Sequence, residues 1–189
     1  MKKIAYMIAA LPLALFAKSA SADISVSGTG SVAYTDAGGN TSTASRTVTV
    51  NTPTPVMANI PESGRTYSSV WDVNHAYSTI DNMIGWAGSW VPAAWNWSTS
   101  WLQIDLGYTR TVEGVVTQGR GVQHQQWVSQ YDVGYSTNGS NFTNLGNFPG
   151  NNDTHTKVYN YFSSAVEARY IRIYPTSGVG LRADVMVLP

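Results

Sequence analysis

Short apolar runs alternate with turn-forming residues along most of the chain after residue 57. The runs that predict strands lie at residues 101–106, 112–118, 128–136, 157–162, 168–174 and 183–187. No window in this part keeps the 3.6-residue period of an amphipathic helix. Asn138-Gly139 lies directly after one run and predicts a tight hairpin turn. Short strands at this spacing indicate an all-β domain of the sandwich or jelly-roll type.

Residues 23–56 have a different pattern, in which Ser, Thr, Gly and Asn surround a few spaced apolar residues. Val48 and Val50 alternate with threonines until Pro53 and Pro55 interrupt the run. Two structures fit this extension. One is a hairpin with strands near 24–34 and 46–50, followed by a proline-containing linker, and the other is a disordered Ser/Thr-rich spacer.

The first 22 residues have the pattern of a secretory signal peptide. Lys2 and Lys3 precede an apolar run over residues 4–17, and Ala20-Ser-Ala22 supplies the small residues of a cleavage site. The run is shorter than the roughly 20 residues that span a bilayer. We therefore expect three parts: a signal peptide at 1–22, the β-rich extension at 23–56 and a binding domain at 57–189.

Composition narrows the classes of partner. Cleavage before Asp23 would remove three of the eleven basic residues and none of the eleven acidic ones, leaving a net charge of −3. A mildly acidic chain without a Lys/Arg cluster argues against nucleic acid and against an anionic membrane surface. The chain has no cysteine, so neither disulfides nor thiolate chemistry is available to it.

A series of motifs over roughly the last 130 residues resembles the discoidin family, which includes the C-type domains of coagulation factors V and VIII. The motifs are Trp101-Leu-Gln-Ile-Asp-Leu-Gly107, Val112-Glu-Gly-Val-Val-Thr-Gln-Gly-Arg120, Gln126-Trp127-Val128, Tyr135-Ser-Thr-Asn-Gly-Ser-Asn-Phe142 and Glu167-Ala-Arg-Tyr-Ile-Arg-Ile-Tyr-Pro175. The resemblance implies an eight-stranded jelly-roll β-sandwich with ligand-binding loops at one end. It also implies binding of galactose-type sugars, other glycans or phospholipid headgroups, often beside a structural calcium ion.

This sequence departs from the family pattern in two places. The disulfide that joins the ends of many family members cannot form here, because cysteine is absent. The loop after Pro175, which is often long and aromatic in the family, is here the short segment Thr176-Ser-Gly-Val-Gly180. The contribution of that loop to binding is therefore in question.

Tryptophan is concentrated just before the first long strand, where six of the seven tryptophans lie between residues 71 and 101. Trp86 and Trp90 fall in a Gly-rich segment that begins at Asp81 and is typical of a loop. Aromatic rings on loops suit sugars, because the C–H face of a pyranose packs on the ring while its hydroxyls remain free to hydrogen-bond. The alternative is that these rings close the end of the sandwich.

Arg120 ends a predicted strand and precedes a polar run that leads to Gln126 and Trp127. A guanidinium at a loop can donate to two neighbouring sugar hydroxyls at once. Pairing of Arg120 with a carboxylate, or packing of Trp127 in the core, is the structural alternative. The candidate carbohydrate-binding residues are Asp81, Trp86, Trp90, Arg120, Gln126 and Trp127.

Asp81 and Asp184 form the one metal hypothesis. The resemblance implies a calcium site with one acidic residue in the first loop and another near the C-terminus, and these two aspartates match those positions. Oxygen ligands suit calcium, but two carboxylates need backbone carbonyls to complete the coordination shell. Surface or turn carboxylates are the alternative interpretation.

The sequence contains none of the motifs that would indicate an enzyme: no nucleophile elbow, no zinc-binding histidine pair and no phosphate-binding glycine loop. We expect a lectin-like module that binds glycans or glycoconjugates. The alternative is a structural or adhesive subunit that self-associates through the extension at 23–56. From the signal peptide we expect a secreted, periplasmic or cell-surface protein. The segment from Asp23 to Tyr34 is also similar to the first strand of some Gram-negative porins, but the chain that follows is too short for a barrel, so this similarity serves only as export context and points to a Gram-negative bacterium.

Overall fold

The computed structural model describes residues 25–35, 41–51, 53–81, 88–93, 99–121 and 124–189, the first two ranges by their backbone. Contacts within the chain divide it into two units, with the boundary between Thr54 and Pro55. The first unit contains a β-hairpin and the second an all-β domain. No helix in the described ranges has both the length and the hydrophobicity needed to cross a bilayer.

The hairpin consists of β1 (Ser25–Thr35) and β2 (Thr41–Asn51), which pair antiparallel along their whole length. Of the two structures considered for the extension, the described residues have the hairpin. Its second strand begins at Thr41 rather than at Arg46, because the Ser/Thr residues before Arg46 pair with β1 as well. Threonine is a good strand former, so a polar composition does not prevent pairing here.

The second unit is built from strands of very unequal length. They are β3 (Val56–Met57), β4 (Arg65–Tyr67), β5 (Leu102–Gln118), β6 (Val128–Ser136), β7 (Thr143–Pro149), β8 (Val158–Gly178) and β9 (Arg182–Val187). Four runs predicted as separate strands are parts of two continuous ones, since 101–106 and 112–118 belong to β5, and 157–162 and 168–174 belong to β8. The hairpin predicted at Asn138-Gly139 is confirmed between β6 and β7, but residues 137–142 join the two strands in place of a tight turn, with Gly139 at φ 75°.

The two long strands contribute to both layers of the β-sandwich. The first part of β5, up to Asp105, pairs with β4 and with the second part of β8. Register shifts between Asp105 and Arg110 and between Val112 and Gly114 then redirect the strand. Its second part pairs with the first part of β8 and with β9. One layer thus has the order β7-β6-β8-β5-β4 and the other β8-β5-β9-β3.

The core lies between these layers and is formed by the inward side of each strand. Its fully buried members include Leu102, Ile104, Val115, Tyr131, Val133, Ile171, Ile173, Leu181 and Val185. The alternating pattern of β5 places Leu102, Ile104 and Leu106 on the inner side, as expected for a half-buried strand. Burial of this apolar surface is the main stabilising contribution in a domain that has no disulfide.

Gly114 lies where β5 and β8 approach most closely, and this contact gives a prediction about stability. A Cβ at residue 114 would lie 2.3 Å from the carbonyl oxygen of Asn160 and 3.0 Å from the Cα of Tyr161. Both are backbone atoms, so the two strands would have to separate. We expect Gly114→Ala to lower the free energy of unfolding by about 1–3 kcal/mol, measured by urea denaturation.

Gly134→Ala is the matched control for this variant. A Cβ at Gly134 would meet only side-chain atoms, the nearest at 3.2 Å on Tyr174, which can rotate aside. The control should lose less stability than Gly114→Ala. Equal losses would contradict the explanation from backbone approach.

Candidate functional site

Three connecting segments meet at one end of the sandwich, and we call this region the loop end. They are residues 71–75, which include a 3₁₀ turn at Val73–His75, the described residues 119–121 and 124–127 after β5, and residues 178–181 before β9. The Arg120 amide donates to the carbonyl of Gln126 at 2.9 Å, which closes the second segment on itself. Gly180 lies against it, since a Cβ there would be 2.9 Å from the Cβ of Arg120.

Arg120 is at the centre of the loop end and is only 6% exposed. Its Nη1 donates to the side-chain oxygen of Gln126 at 2.5 Å, and its Nη2 lies 2.8 Å from Nε2 of His75. Desolvation lowers the pKa of Arg120, and the nearby Asp72 carboxylate opposes that shift. The structure therefore brings together two of the predicted residues, Arg120 and Gln126, and adds His75, which the sequence did not indicate.

His75 is held in a single tautomer by its two neighbours. A guanidinium has only donors, so Nε2 of His75 must accept from Arg120. Nδ1 then carries the proton and donates to Oδ1 of Asp72 at 2.6 Å. This hydrogen bond is the largest cause of the lowered pKa of Asp72. The Asp72 carboxylate also accepts from the amide of Asn74 at 2.8 Å. The same carboxylate therefore both caps the 3₁₀ turn and orients the imidazole of His75.

Trp71 supplies an exposed aromatic side chain on the same segment as Asp72 and His75. Trp71 is 58% exposed and directly precedes Asp72 in the sequence. The Trp71 amide donates to the carbonyl of Val91 at 2.8 Å, and the Val91 amide donates to the carbonyl of His75 at 3.2 Å. The backbone thus fixes the turn that carries Trp71, Asp72 and His75. Trp71 belongs to the tryptophan cluster visible in the sequence, but its exposure depends on the fold.

Trp90, a candidate carbohydrate-binding residue, is fully buried and presents no ring surface to solvent. It is 0% exposed, its indole N–H donates to the carbonyl of Ser69 at 2.8 Å, and its ring stacks on Tyr67 at 5.8 Å between centroids. A two-way backbone bridge to Leu181 draws it into the core. These contacts are those expected from the structural alternative, a ring that closes the sandwich. Trp86 lies outside the described residues.

Trp127 and His124 flank Gln126 in the second segment. Trp127 is half-buried, with Gly119 and Gly178 packed so closely against it that a Cβ on Gly178 would lie 2.0 Å from its carbonyl oxygen. The backbone of Trp127 is therefore closely packed, and its assignment as a carbohydrate-binding residue stays a prediction. His124 is exposed, and the positive charge of Arg120 is the main cause of its lowered pKa.

Asp81 makes its contacts beside Gln118 rather than with the Arg120 network. Its amide donates to the side-chain oxygen of Gln118 at 3.0 Å, and its carboxylate accepts from Nε2 of Gln118 at 3.2 Å. Nζ of Lys157 forms a close ion pair with the same carboxylate, whose side chain is 62% exposed. The hydrogen bond from Lys157 is the largest cause of the lowered pKa of Asp81.

Asp184 is buried and faces a different cation. Its Oδ2 lies 3.5 Å from Nη2 of Arg65, and its Oδ1 accepts from the amide of Val185 at 2.8 Å. Burial raises the pKa of Asp184, against the effect of Arg65. Each aspartate of the metal hypothesis therefore has its own basic partner. Within the described residues no group of three or more His, Asp or Glu side chains could hold a metal. Because Arg65 and Lys157 already pair with the two carboxylates, these aspartates do not fit the expected calcium ion.

Comparison with known proteins assigns this architecture to a family. The family model described as the F5/8 type C domain matches residues 61–185. Bovine lactadherin is 36% identical over 110 residues, which are 53% of this chain and 25% of that protein. The chain therefore spans about a quarter of the length of that relative.

Two solved structures share the fold. Wild-type discoidin II from Dictyostelium discoideum has a TM-score of 0.62 and 20% identity, over 71% of this chain and 58% of that one. The family 32 CBM from Clostridium perfringens NanJ, in complex with galactose, has a TM-score of 0.51 and 22% identity, over 71% of this chain and all of that one. The strand order, the sequence motifs and these matches agree that the chain belongs to the F5/8 type C domain family.

Proposed function

We propose that the protein binds carbohydrate at the loop end, through Arg120, Gln126 and His75, with Trp71 as the stacking surface. The observation that carries this proposal is the guanidinium of Arg120, which contacts both Gln126 and His75, the latter on a turn that begins with the exposed Trp71. The family 32 CBM of the same fold is bound to galactose in its structure, which supports a sugar as the ligand class.

The proposed chemistry follows from the donors and acceptors at the loop end. Vicinal hydroxyls of a sugar accept from the guanidinium, whose planar fork presents two N–H groups side by side. Gln126 supplies both a donor and an acceptor, so it can complete the hydrogen bonds of a hydroxyl. The ring of Trp71 covers the apolar C–H face of the pyranose. This combination binds a neutral polyol, and it requires no nucleophile or general base.

Galactose-type glycans are the proposed ligands within this class, and the proposed role is capture of glycoconjugates outside the cytoplasm. We propose no catalysis by the domain. The discriminating experiment is a glycan array probed with the full chain, followed by calorimetric titration with galactose, N-acetylgalactosamine, glucose and mannose. Binding of the galactose-type sugars is the expected result. Absence of any sugar-dependent signal would favour the structural or adhesive role instead.

Trp71→Ala separates the proposed ligand surface from the core. We expect about tenfold weaker binding of galactose, equivalent to about 1.4 kcal/mol, because the C–H face of the sugar loses its aromatic partner. The free energy of unfolding should change by no more than about 0.5 kcal/mol, because the ring is exposed. Calorimetry and urea denaturation measure the two quantities.

Tyr108→Ala is the control, because it removes an exposed aromatic side chain outside the loop end. Tyr108 is also largely exposed, but it lies in the turn region of β5 with Arg110 over its ring. Galactose binding should be unaffected by this change. If Trp71→Ala binds galactose as tightly as the wild type, Trp71 is not part of the site.

A further inference from the structure

A guanidinium surrounded by oxygen atoms lies between the segments that support the loop end. The side chain of Arg65, the first residue of β4, is 0% exposed. Its three nitrogens face oxygen atoms from three separate parts of the chain, and we call this group of oxygens the oxygen cage. The cage consists of the carbonyls of Ile60, Ser78 and Ala183, the hydroxyl of Ser78 and the carboxylate of Asp184.

The geometry uses every nitrogen of the side chain. Nε and Nη2 donate to the carbonyl of Ile60 at 3.3 and 3.0 Å. Nη1 donates to the carbonyl of Ala183 at 2.6 Å and lies 3.2 Å from both the carbonyl and the hydroxyl of Ser78. Nη2 also lies 3.5 Å from Oδ2 of Asp184. A buried cation is stable only with such complete pairing.

The negative charge around Arg65 also favours a cation at this position. Glu62 acts on Arg65 as a second negative group, and its carboxylate accepts from the amide of Ser78 at 3.0 Å and from the hydroxyl of Tyr67. Without Arg65, two carboxylates and three carbonyls would remain together with no positive charge. Carbonyl, hydroxyl and carboxylate oxygens are the ligands that calcium takes in proteins.

We propose that Arg65 is the built-in cation of this oxygen cage, in the position where a calcium ion would otherwise be required, and that the domain is therefore stable without calcium. The expected calcium ion and the observed guanidinium compete for the same acceptor, since Asp184 belongs to both. Removal of the guanidinium should leave a calcium site. This proposal concerns stability and metal binding, so these parts do not depend on the proposed sugar.

The cage also positions the loop end. Ser78 is three residues beyond His75, and its carbonyl accepts from the amide of Ala183 as well as from Arg65. Leu181, two residues before Ala183, holds Trp90 by the backbone bridge. Arg65 is thus a positioning residue for the turn that carries Asp72 and His75. This last step rests on the proposed function.

The test compares the full-length wild type with Arg65→Ser, each melted in EDTA and in increasing calcium chloride. The wild type should melt at the same temperature in both. Arg65→Ser should melt several degrees lower in EDTA and regain stability as calcium is added, because a ligand that binds only the folded state stabilises it. Terbium supplies a second readout, since Tyr67 lies at the cage and should sensitise its luminescence in Arg65→Ser only.

Two variants serve as controls. Asp184→Asn in the Arg65→Ser background removes the carboxylate of the cage and should abolish the response to calcium. Arg169→Ser removes an arginine from the exposed pair with Asp105 and should create no calcium response. These controls separate the cage from a general effect of losing an arginine.

A wild type that loses stability in EDTA, or a folded Arg65→Ser that does not respond to calcium, would overturn the proposal. If Arg65→Ser is unfolded in EDTA, calcium should recover its fold, and failure to do so counts against the proposal equally. The proposed function is tested separately, by sugar binding. A wild type that binds no sugar refutes the proposed function, whereas a calcium response of Arg65→Ser would still support Arg65 as the built-in cation.

Discussion

Arg120→Ala should lose at least about a hundredfold of its affinity for galactose and keep its fold. Each hydrogen bond from a charged donor contributes about 1.5–3 kcal/mol, and the guanidinium can supply two to one sugar. Loss of both corresponds to more than about 3 kcal/mol, and every 1.4 kcal/mol is a factor of about ten. Calorimetric titration with galactose measures the loss, and circular dichroism with a melting curve verifies the fold.

Arg120→Ala should remain folded because the hydrogen bond that closes its segment comes from the backbone. Its backbone amide, which holds Gln126 at 2.9 Å, is unchanged by the substitution. Arg120→Lys retains a positive charge without the fork, so its affinity should lie between those of the wild type and Arg120→Ala. Arg110→Ala, which changes an arginine beside Tyr108, is the control and should bind normally. Normal galactose binding by folded Arg120→Ala would contradict the site.

Trp90→Ala should lower the free energy of unfolding by about 3–5 kcal/mol, the usual range for removing a large aromatic side chain from a core. The ring is fully buried and stacks on Tyr67, and its N–H donates to the carbonyl of Ser69. The substitution would therefore leave a cavity and an unpaired carbonyl. Urea denaturation followed by tyrosine and tryptophan fluorescence measures this loss.

Trp71→Ala is the matched control, because it removes the same side chain from the same part of the chain. The stability losses of the two variants should differ by about 3 kcal/mol or more, given the opposite exposures of the rings. Trp90→Phe, which refills most of the cavity, should recover part of the loss. A Trp90→Ala variant as stable as Trp71→Ala would show that Trp90 does not support the core as described.

Strands with an alternating pattern could be predicted from the sequence, and strands without one could not. The apolar residues of β6 and β9 and the Asn138-Gly139 turn carry local signals, and the structure has these elements. Strand β7 (Thr143–Pro149) was missed because its side chains are mostly polar and exposed. The continuity of β5 was missed because its register shifts lie in a polar stretch that resembles a turn.

Site residues whose contacts are local in sequence could be predicted, and those whose contacts are long-range could not. Arg120 and Gln126 are close in sequence, so a loop that brings them together could be expected, and they are in contact. Trp90 lies in a Gly-rich segment that resembles an exposed loop, but its bridge to Leu181 is a long-range pairing with no local signature. His75 was missed for the same reason, since its partner Arg120 comes from a distant part of the chain.

Asp184 was predicted to bind a metal ion, and in the structure its carboxylate faces an arginine. The resemblance to the discoidin family implied a metal ligand at this place near the C-terminus, and carboxylate oxygens suit calcium. The cation that faces it belongs to Arg65, which the sequence analysis did not single out. A buried arginine at the start of a three-residue strand leaves no pattern that distinguishes it from an exposed one.

Titration of the ¹⁵N-labelled full chain with galactose tests the central claim most directly. The indole N–H signal of Trp71 and the signals of Arg120, Gln126 and His75 should shift in a saturable way, while the indole signal of Trp90, buried against Ser69, should shift least. The same titration with Arg120→Ala should produce no shifts. Saturable shifts confined to another region, such as Tyr108 and Arg110, or no shifts in the wild type, would contradict a carbohydrate site at the loop end.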